Sequence, residues 1–135
     1  MFGRKNREQK AVRKVFEEAV ARDGEMEKQA ARLRAGMQEI AGRLPGGSVE
    51  VAPGVNDIGD CIRVSVSAGQ GKSYGVTVNV ARQKRRFVYW EQQDGGERLT
   101  TREFRKPKDA AAYVMERMIA DKAIPLRRAP PKYSI

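Results

Sequence analysis

The sequence has no histidine and only one cysteine among its 135 residues. Without histidine it lacks the commonest general base and the commonest nitrogen ligand of zinc, and one thiol cannot build a zinc site. Cys61 has no partner for an intramolecular disulfide, which favours a reducing compartment and predicts a cytoplasmic protein. We therefore expect a protein that is not an enzyme and that uses no metal or other cofactor.

Long apolar runs are also missing. No stretch approaches the length of a membrane span, and charged residues follow the first positions where a signal peptide would carry its apolar core. Apolar residues make up 40% and charged residues 33% of the chain, which at this length predicts one globular domain rich in charge. We predict no membrane span.

Positive charge, in contrast, is abundant and clustered. The formal net charge is +10, and residues 1–14 and 82–108 each carry +5, whereas residues 15–81 carry −2. Clustered cations attract polyanions through a long-range field that salt screens. The expected partner is therefore DNA or RNA bound without sequence preference, or else an acidic protein.

An apolar stripe with alternating steps of four and three residues runs from Val12 to Leu44. This spacing predicts a basic arm followed by a long amphipathic helix within residues 1–44, kinked or broken near Gly24. A helix of that length would outreach a small sheet, which indicates a coiled-coil contact, either in a homodimer or in a complex with another protein. The alternative is a helical hairpin that buries its own stripe. The predicted partner-binding residues are Phe16, Met26, Leu33, Met37 and Ile40.

Period-two alternation follows a helix stop at residues 44–48. Residues 60–68 and 74–80 alternate apolar with polar side chains, which predicts two antiparallel strands joined across residues 69–72. Asp94 and Gly95 predict a second hairpin turn that sets Trp90 opposite Leu99 and Arg86 opposite Glu103.

A last helix is predicted to open at Lys106-Pro107 and to end before Pro125, and residues 124–135 read as a flexible basic tail. The predicted fold class is α+β: a long N-terminal helix, an antiparallel meander of four or five strands, and a C-terminal helix packed on the sheet. Residues 1–44 and 48–123 belong to a single domain in this interpretation.

The hairpin around Asp94 combines arginines with aromatic side chains, a pattern that suits phosphates and unpaired bases. In the predicted register Arg85, Phe87, Tyr89, Arg98, Arg102 and Phe104 share one face. The alternative is that the aromatic rings form the core and the arginine stems pack at its rim. The predicted nucleic-acid-binding residues are Arg4, Lys5, Arg7, Lys10, Lys84, Arg85, Arg86, Phe87, Tyr89, Arg98, Arg102 and Lys108.

Two weaker patterns favour ordinary structure over chemistry. Residues 67–73 resemble a phosphate-binding loop, but Val66 stands where the motif needs glycine and a strand follows, so a glycine-rich hairpin turn is expected. Glu50, Asp57 and Asp60 could approach a magnesium ion, yet acids spaced in this way are more often solvated loop residues, and no metal site is predicted.

The order helix, antiparallel strands, helix resembles that of double-stranded RNA-binding domains, and residues 106–112 place basic residues and alanines at the start of the last helix as those domains do. The first helix is much longer here and the strands lack that family's loop pattern, so no family is assigned. The sequence predicts a basic protein that contacts nucleic-acid backbone. The alternative is an adaptor that assembles through its first helix, for example in a phage, mobile-element or secretion complex.

Overall fold

The computed structural model describes residues 2–81 and 84–124, with side chains from residue 7 onward. Its elements are α1 (Phe2–Ala41), β1 (Val49–Asn56), β2 (Gly59–Ser67), β3 (Lys72–Ala81), β4 (Lys84–Gln93), β5 (Leu99–Phe104) and α2 (Pro107–Ala120). The five strands form one antiparallel sheet in the order β1 to β5. The predicted α+β fold is confirmed.

Both helices cover the same face of the sheet. The alternating residues of the central strands point towards them, and Val64, Val76 and Val78 are fully buried. α1 lies over β1 to β3, and α2 lies over β3 to β5. The core therefore fills the space between one sheet face and two helices, while the other sheet face carries no helix of the described residues.

The two helices touch each other at Gly36. A side-chain carbon added there would come within 3.0 Å of the Cβ atom of Ala111, so glycine permits this close approach. Leu33 and Met37 flank the contact from α1, and Val114 and Met118 flank it from α2; all four are fully buried. The position of α2 relative to α1 is thus set by packing around one small residue.

α1 is a single helix that continues through Asp23 and Gly24. The helical-hairpin alternative is therefore wrong. One glycine costs a helix interior only about 1 kcal/mol, which the burial of residues from Met26 onward offsets. At 1.5 Å per residue the helix is about 60 Å long, whereas five strands span about 20 Å, so its first half extends past the sheet.

The chain end beyond α2 differs slightly from the prediction. Ile124, assigned to the flexible tail, is only 4% exposed and belongs to the core. Its backbone N–H donates to the carbonyl of Met118, which turns the chain back after the helix. The rest of the predicted tail, residues 125–135, lies outside the described residues.

The β4–β5 hairpin corrects the predicted register. The turn at Asp94 and Gly95 forms as expected, with positive φ at both residues and a hydrogen bond from the Gly96 N–H to the Gln93 carbonyl. Strand β5 begins only at Leu99, however, and a bulge lies between Tyr89 and Trp90. A two-residue turn cannot fix the register when extra residues follow it.

The consequences of that bulge are local. Trp90 pairs with Thr100 rather than with Leu99, and Glu103 pairs with Val88. The Arg86–Glu103 ion pair still forms, across a diagonal, with 2.6 Å between Nε and Oε1. The predicted Trp90–Leu99 pair was wrong because the bulge shifts β5 along β4.

A cluster of charged side chains ties α2 to β3 and β4. Lys72 Nζ lies 2.6 Å from Asp121 Oδ2, and the Tyr74 hydroxyl donates to the same oxygen at 2.7 Å. Arg117 contacts Asp121 at 3.2 Å and Glu91 at 3.3 Å. The hydrogen bonds from Lys72 and Tyr74 lower the pKa of Asp121 below its ordinary value. This cluster fixes the end of α2 on the sheet.

Asp121→Asn should reduce the free energy of unfolding at pH 7 by roughly 1–2 kcal/mol, since the charged acceptor is lost. Because the native pKa is depressed, this stabilisation is complete above the ordinary value of 3.8 and is lost as the pH falls through the lower native value. Urea unfolding between pH 7 and pH 2 should show the difference from wild type closing only below pH 3.8. Asp57→Asn, in an exposed turn, is the control, and a pH-independent difference for Asp121→Asn would contradict the assignment.

Gly75→Ala should reduce the free energy of unfolding by about 1–3 kcal/mol, because its Cβ would overlap carbon atoms of the Trp90 ring, which is 3% exposed and has little room to move. Urea unfolding followed by the fluorescence of the single tryptophan measures both stability and ring environment. Gly24→Ala is the control: nothing lies within 4 Å of the added carbon, so it should not destabilise the chain, and in the helix interior it should stabilise it by up to about 1 kcal/mol. Unchanged stability and emission for Gly75→Ala would show that the ring is free to move.

Candidate nucleic-acid interface

A basic groove lies where α1 and α2 meet. Its volume is about 710 Å³, and six cationic side chains line it together with a single acid, Glu39. One of the cations comes from α1, one from the turn that follows α1, one from β4 and three from the segment that opens α2: in that order Arg32, Arg43, Arg85, and then Arg105, Lys106 and Lys108. Because the helices approach over Gly36 and Ala111, cations far apart in sequence face one another across a narrow space.

The N-terminus of α2 opens at the same place. Lys106 is the N-cap residue and its side chain makes no capping hydrogen bond, and Pro107 takes the first helical position. The first N–H groups of a helix have no partner within the helix, and the aligned peptide dipoles leave a partial positive charge there. The helix end therefore adds to the positive potential of the groove. Asp109, in the first turn, is exposed and outside the groove lining.

Most cations of the groove have no acidic partner among the described residues. Arg85 is the exception, with Nη2 at 2.7 Å from Glu25 Oε1. Glu25 also accepts a hydrogen bond from the Gln29 amide at 2.8 Å, and these contacts lower the pKa of its carboxyl group. Arg85 is thus partly neutralised, and the groove charge rests on the other five cations.

The predicted stacking face is wrong in its central residues. Phe87 and Tyr89 are fully buried, on the side of the sheet that the helices cover. Tyr113 of α2 packs edge-on against Tyr89 with ring centroids 4.7 Å apart, and burial raises the pKa of Tyr89. These rings form the core because alternate residues of a strand point to the same sheet face, and here that face is covered by the helices. They cannot stack on bases.

The two arginines of β5 and its preceding loop lie on different sides of the sheet. Arg102 sits over the rings of Phe104 and Tyr113, at 5.1 and 4.9 Å from their centroids. Arg98 sits over Trp90 on the opposite side, at 5.3 Å. The prediction that they share a face was wrong, because the bulge and the longer loop redirect Arg98. Each arginine packs over an aromatic ring. For Arg102 this matches the alternative interpretation, in which arginine stems pack at the rim of an aromatic core.

The remaining predicted contacts are dispersed. Lys84 is exposed at the start of β4, and Arg86 is paired with Glu103 away from the groove. Arg7 and Lys10 are exposed on the first half of α1, while the side chains of Arg4 and Lys5 lie outside the described residues. Only Arg85 and Lys108 of the predicted set line the groove.

The predicted partner-binding stripe divides in two. Met26, Leu33, Met37 and Ile40 are buried against the sheet, with exposures between 0 and 7%, so they are unavailable to a partner. Phe16 is 67% exposed and remains available. The stripe turns from core to surface just before Met26, where the sheet ends beneath the helix.

The weaker sequence patterns are resolved by geometry. Residues 69–71 form a hairpin turn between β2 and β3 with positive φ at each residue, as expected. Glu50 pairs with Ser65, far along the hairpin from Asp57, so the acids do not converge. In the described part of the chain no group of three or more histidine, cysteine or acidic side chains could hold a metal.

Burial raises the pKa of Cys61, which makes its thiol a poor nucleophile.

No helix in the described ranges is both long and apolar enough to cross a membrane. Comparison of the chain with protein-family models, with curated proteins and with solved structures finds no match.

Sequence reasoning missed Arg32, Arg43, Arg105 and Lys106. A signal for the first two exists, since Arg32 on α1 and Arg43, two residues past its end, lie eleven residues apart, which is close to three helical turns. That spacing does not reveal that α2 lies beside them. The groove is a property of tertiary packing, which brings residues 32–43 against residues 105–115.

Proposed function

We propose that this chain is a non-enzymatic binding protein whose basic groove contacts the phosphate backbone of a nucleic acid. The observation that carries the proposal is the convergence of Arg32 and Arg43 with Arg105, Lys106 and Lys108 around one groove that contains a single acid. Phosphate oxygens are the ligands that clustered guanidinium and ammonium groups bind best. The open helix N-terminus provides further N–H donors of the kind that bind phosphate.

The groove supports backbone contact rather than base reading. Its described lining offers cations and apolar side chains, and the rings once predicted to stack are in the core. Phosphate contacts carry no sequence information by themselves. The proposal is therefore binding to DNA or RNA with little sequence preference and with a strong dependence on salt.

The chain should bind fluorescent duplex oligonucleotides of unrelated sequence with similar affinity at low salt. If four phosphates are contacted, the affinity should fall on the order of a hundredfold between 50 and 200 mM salt, because condensed counterions are released on binding. Fluorescence anisotropy measures both quantities, with heparin as a competing polyanion. No detectable binding at low salt would contradict the proposal.

Two matched pairs of charge reversals, on α1 and in the turn that follows it, distinguish binding in the groove from attraction by the overall charge. Arg32→Glu with Arg43→Glu should weaken binding by more than about tenfold, whereas Lys28→Glu with Arg34→Glu should change it by only a few-fold. Both pairs change the net charge equally and all four positions are exposed. Lys28, Arg32 and Arg34 lie on α1 and Arg43 in the turn after it, and only Arg32 and Arg43 line the groove. Equal losses of affinity for the two pairs would show that binding depends on the overall charge of the chain rather than on the groove.

The adaptor alternative is favoured by a separate observation, the exposed apolar residues on the first half of α1. The residues that could contact a partner are those before Met26, because the predicted contact residues from Met26 onward are buried. In this proposal α1 joins the chain to another molecule while the groove, on the second half of α1, stays open. The two proposed functions use different side chains and are tested separately.

A further inference from the structure

The first half of α1 carries an apolar strip that the domain leaves uncovered. Val12, Val15, Phe16 and Val20 are 70, 66, 67 and 55% exposed. We call these four side chains the overhang strip. Beyond residue 25 the large apolar residues of the same helix are buried, so the exposure begins where the sheet ends. A helix with such a strip along one side is typical of helices that pack against a second helix.

The overhang strip lies on the side of α1 that faces the sheet further along. Steps of three and four residues lead from Phe16 to Met26 and Ala30, which are in the core. The sheet ends beside Glu25, where Arg85 pairs with it and Val80 lines a cavity of about 870 Å³ together with Val15. The strip therefore continues the core-facing side of α1 into solvent.

This placement restricts how a second helix of the same kind can lie on the strip. In a parallel pair the two helices would stay side by side past residue 25, where each chain's own sheet already occupies that side. In an antiparallel pair the two folded domains lie at opposite ends and do not collide. The geometry thus admits antiparallel pairing of two copies and opposes parallel pairing.

Charge points to the same arrangement. Residues 7–14 carry a net charge of +3, and residues 17–25 carry −3. Arg13 and Lys14 in the first segment, and Glu17 and Glu18 in the second, form no ion pair with another described residue. Antiparallel pairing places each basic segment against the partner's acidic segment, whereas parallel pairing in register places like against like.

We propose that two copies of this chain associate through an antiparallel contact of the overhang strips, centred near Phe16. The apolar strip and the charges on either side of it both favour a second copy as the partner. When two copies are related by a twofold axis, each strip meets the other strip and each basic segment meets an acidic segment. The cavity beside Val15 and Val80 lies where the start of the partner's helix would pass. The inference deepens the adaptor alternative, and it is independent of phosphate binding in the groove.

Solution mass of the full chain without nucleic acid tests the contact directly. Light scattering after gel filtration should give twice the chain mass of 15.1 kDa for the wild type and a single chain mass for Phe16→Glu. Leu99→Glu, an equally exposed apolar position on β5 at 61%, should remain dimeric. Circular dichroism should show that both variants fold. A monomeric wild type, or a dimeric Phe16→Glu, would overturn the proposal.

Two further variants test orientation. Arg13→Glu alone and Glu17→Arg alone should each weaken association several-fold, and the two changes together should restore it, since the partner's charges are then exchanged as well. Mixed Val12→Cys and Val20→Cys chains should form a disulfide between different variants faster than Val12→Cys chains do with one another. Failure of the charge rescue, or preferential self-crosslinking of Val12→Cys, would contradict antiparallel pairing. Because these assays contain no nucleic acid, their outcome is distinct from that of the groove variants.

Discussion

Burial of one sheet face under two helices that touch at Gly36 and Ala111 is the constraint on which the rest of this structure depends. The contact brings Arg32 of α1 and Arg43 of the following turn beside the opening of α2 and so creates the groove. It also anchors the second half of α1, which leaves the first half beyond the sheet. A larger residue at position 36 would push α1 away from α2 at this contact and would therefore alter the groove.

Positive charge is unevenly available over this fold. Lys72 and Arg117 form ion pairs with Glu91 and Asp121, and Arg86 forms one with Glu103. These cations stabilise the fold through internal ion pairs. The groove cations other than Arg85 have no such partner among the described residues, which leaves their charge free to act on a ligand. In the proposed antiparallel pair, the basic segment of residues 7–14 would face the partner's acidic segment of residues 17–25. The proposed phosphate binding and the proposed self-association would therefore use different parts of the molecule, the groove beside the second half of α1 and the strip on its first half.

Local periodicity predicted the helices, the alternating strands and the turn at Asp94, because each depends on residues close in sequence. It could not decide which side of β4 is covered, so Phe87 and Tyr89 were assigned to a binding face although they belong to the core. The bulge beside Tyr89 leaves no mark in the pattern, and it displaced the predicted pairing of Trp90. The groove was missed because it joins residues more than sixty positions apart, and only packing brings them together.

The most direct measurement of the central claim is an NMR titration of isotope-labelled chain with a short duplex at low salt. The account predicts that amide signals of residues 105–110, and of the residues around Arg32 on α1 and Arg43 in the following turn, shift first and return when salt is added. Signals of the uncovered sheet face, including Arg63 and Trp90, should stay in place. Shifts concentrated on that sheet face, with the groove unaffected, would contradict it.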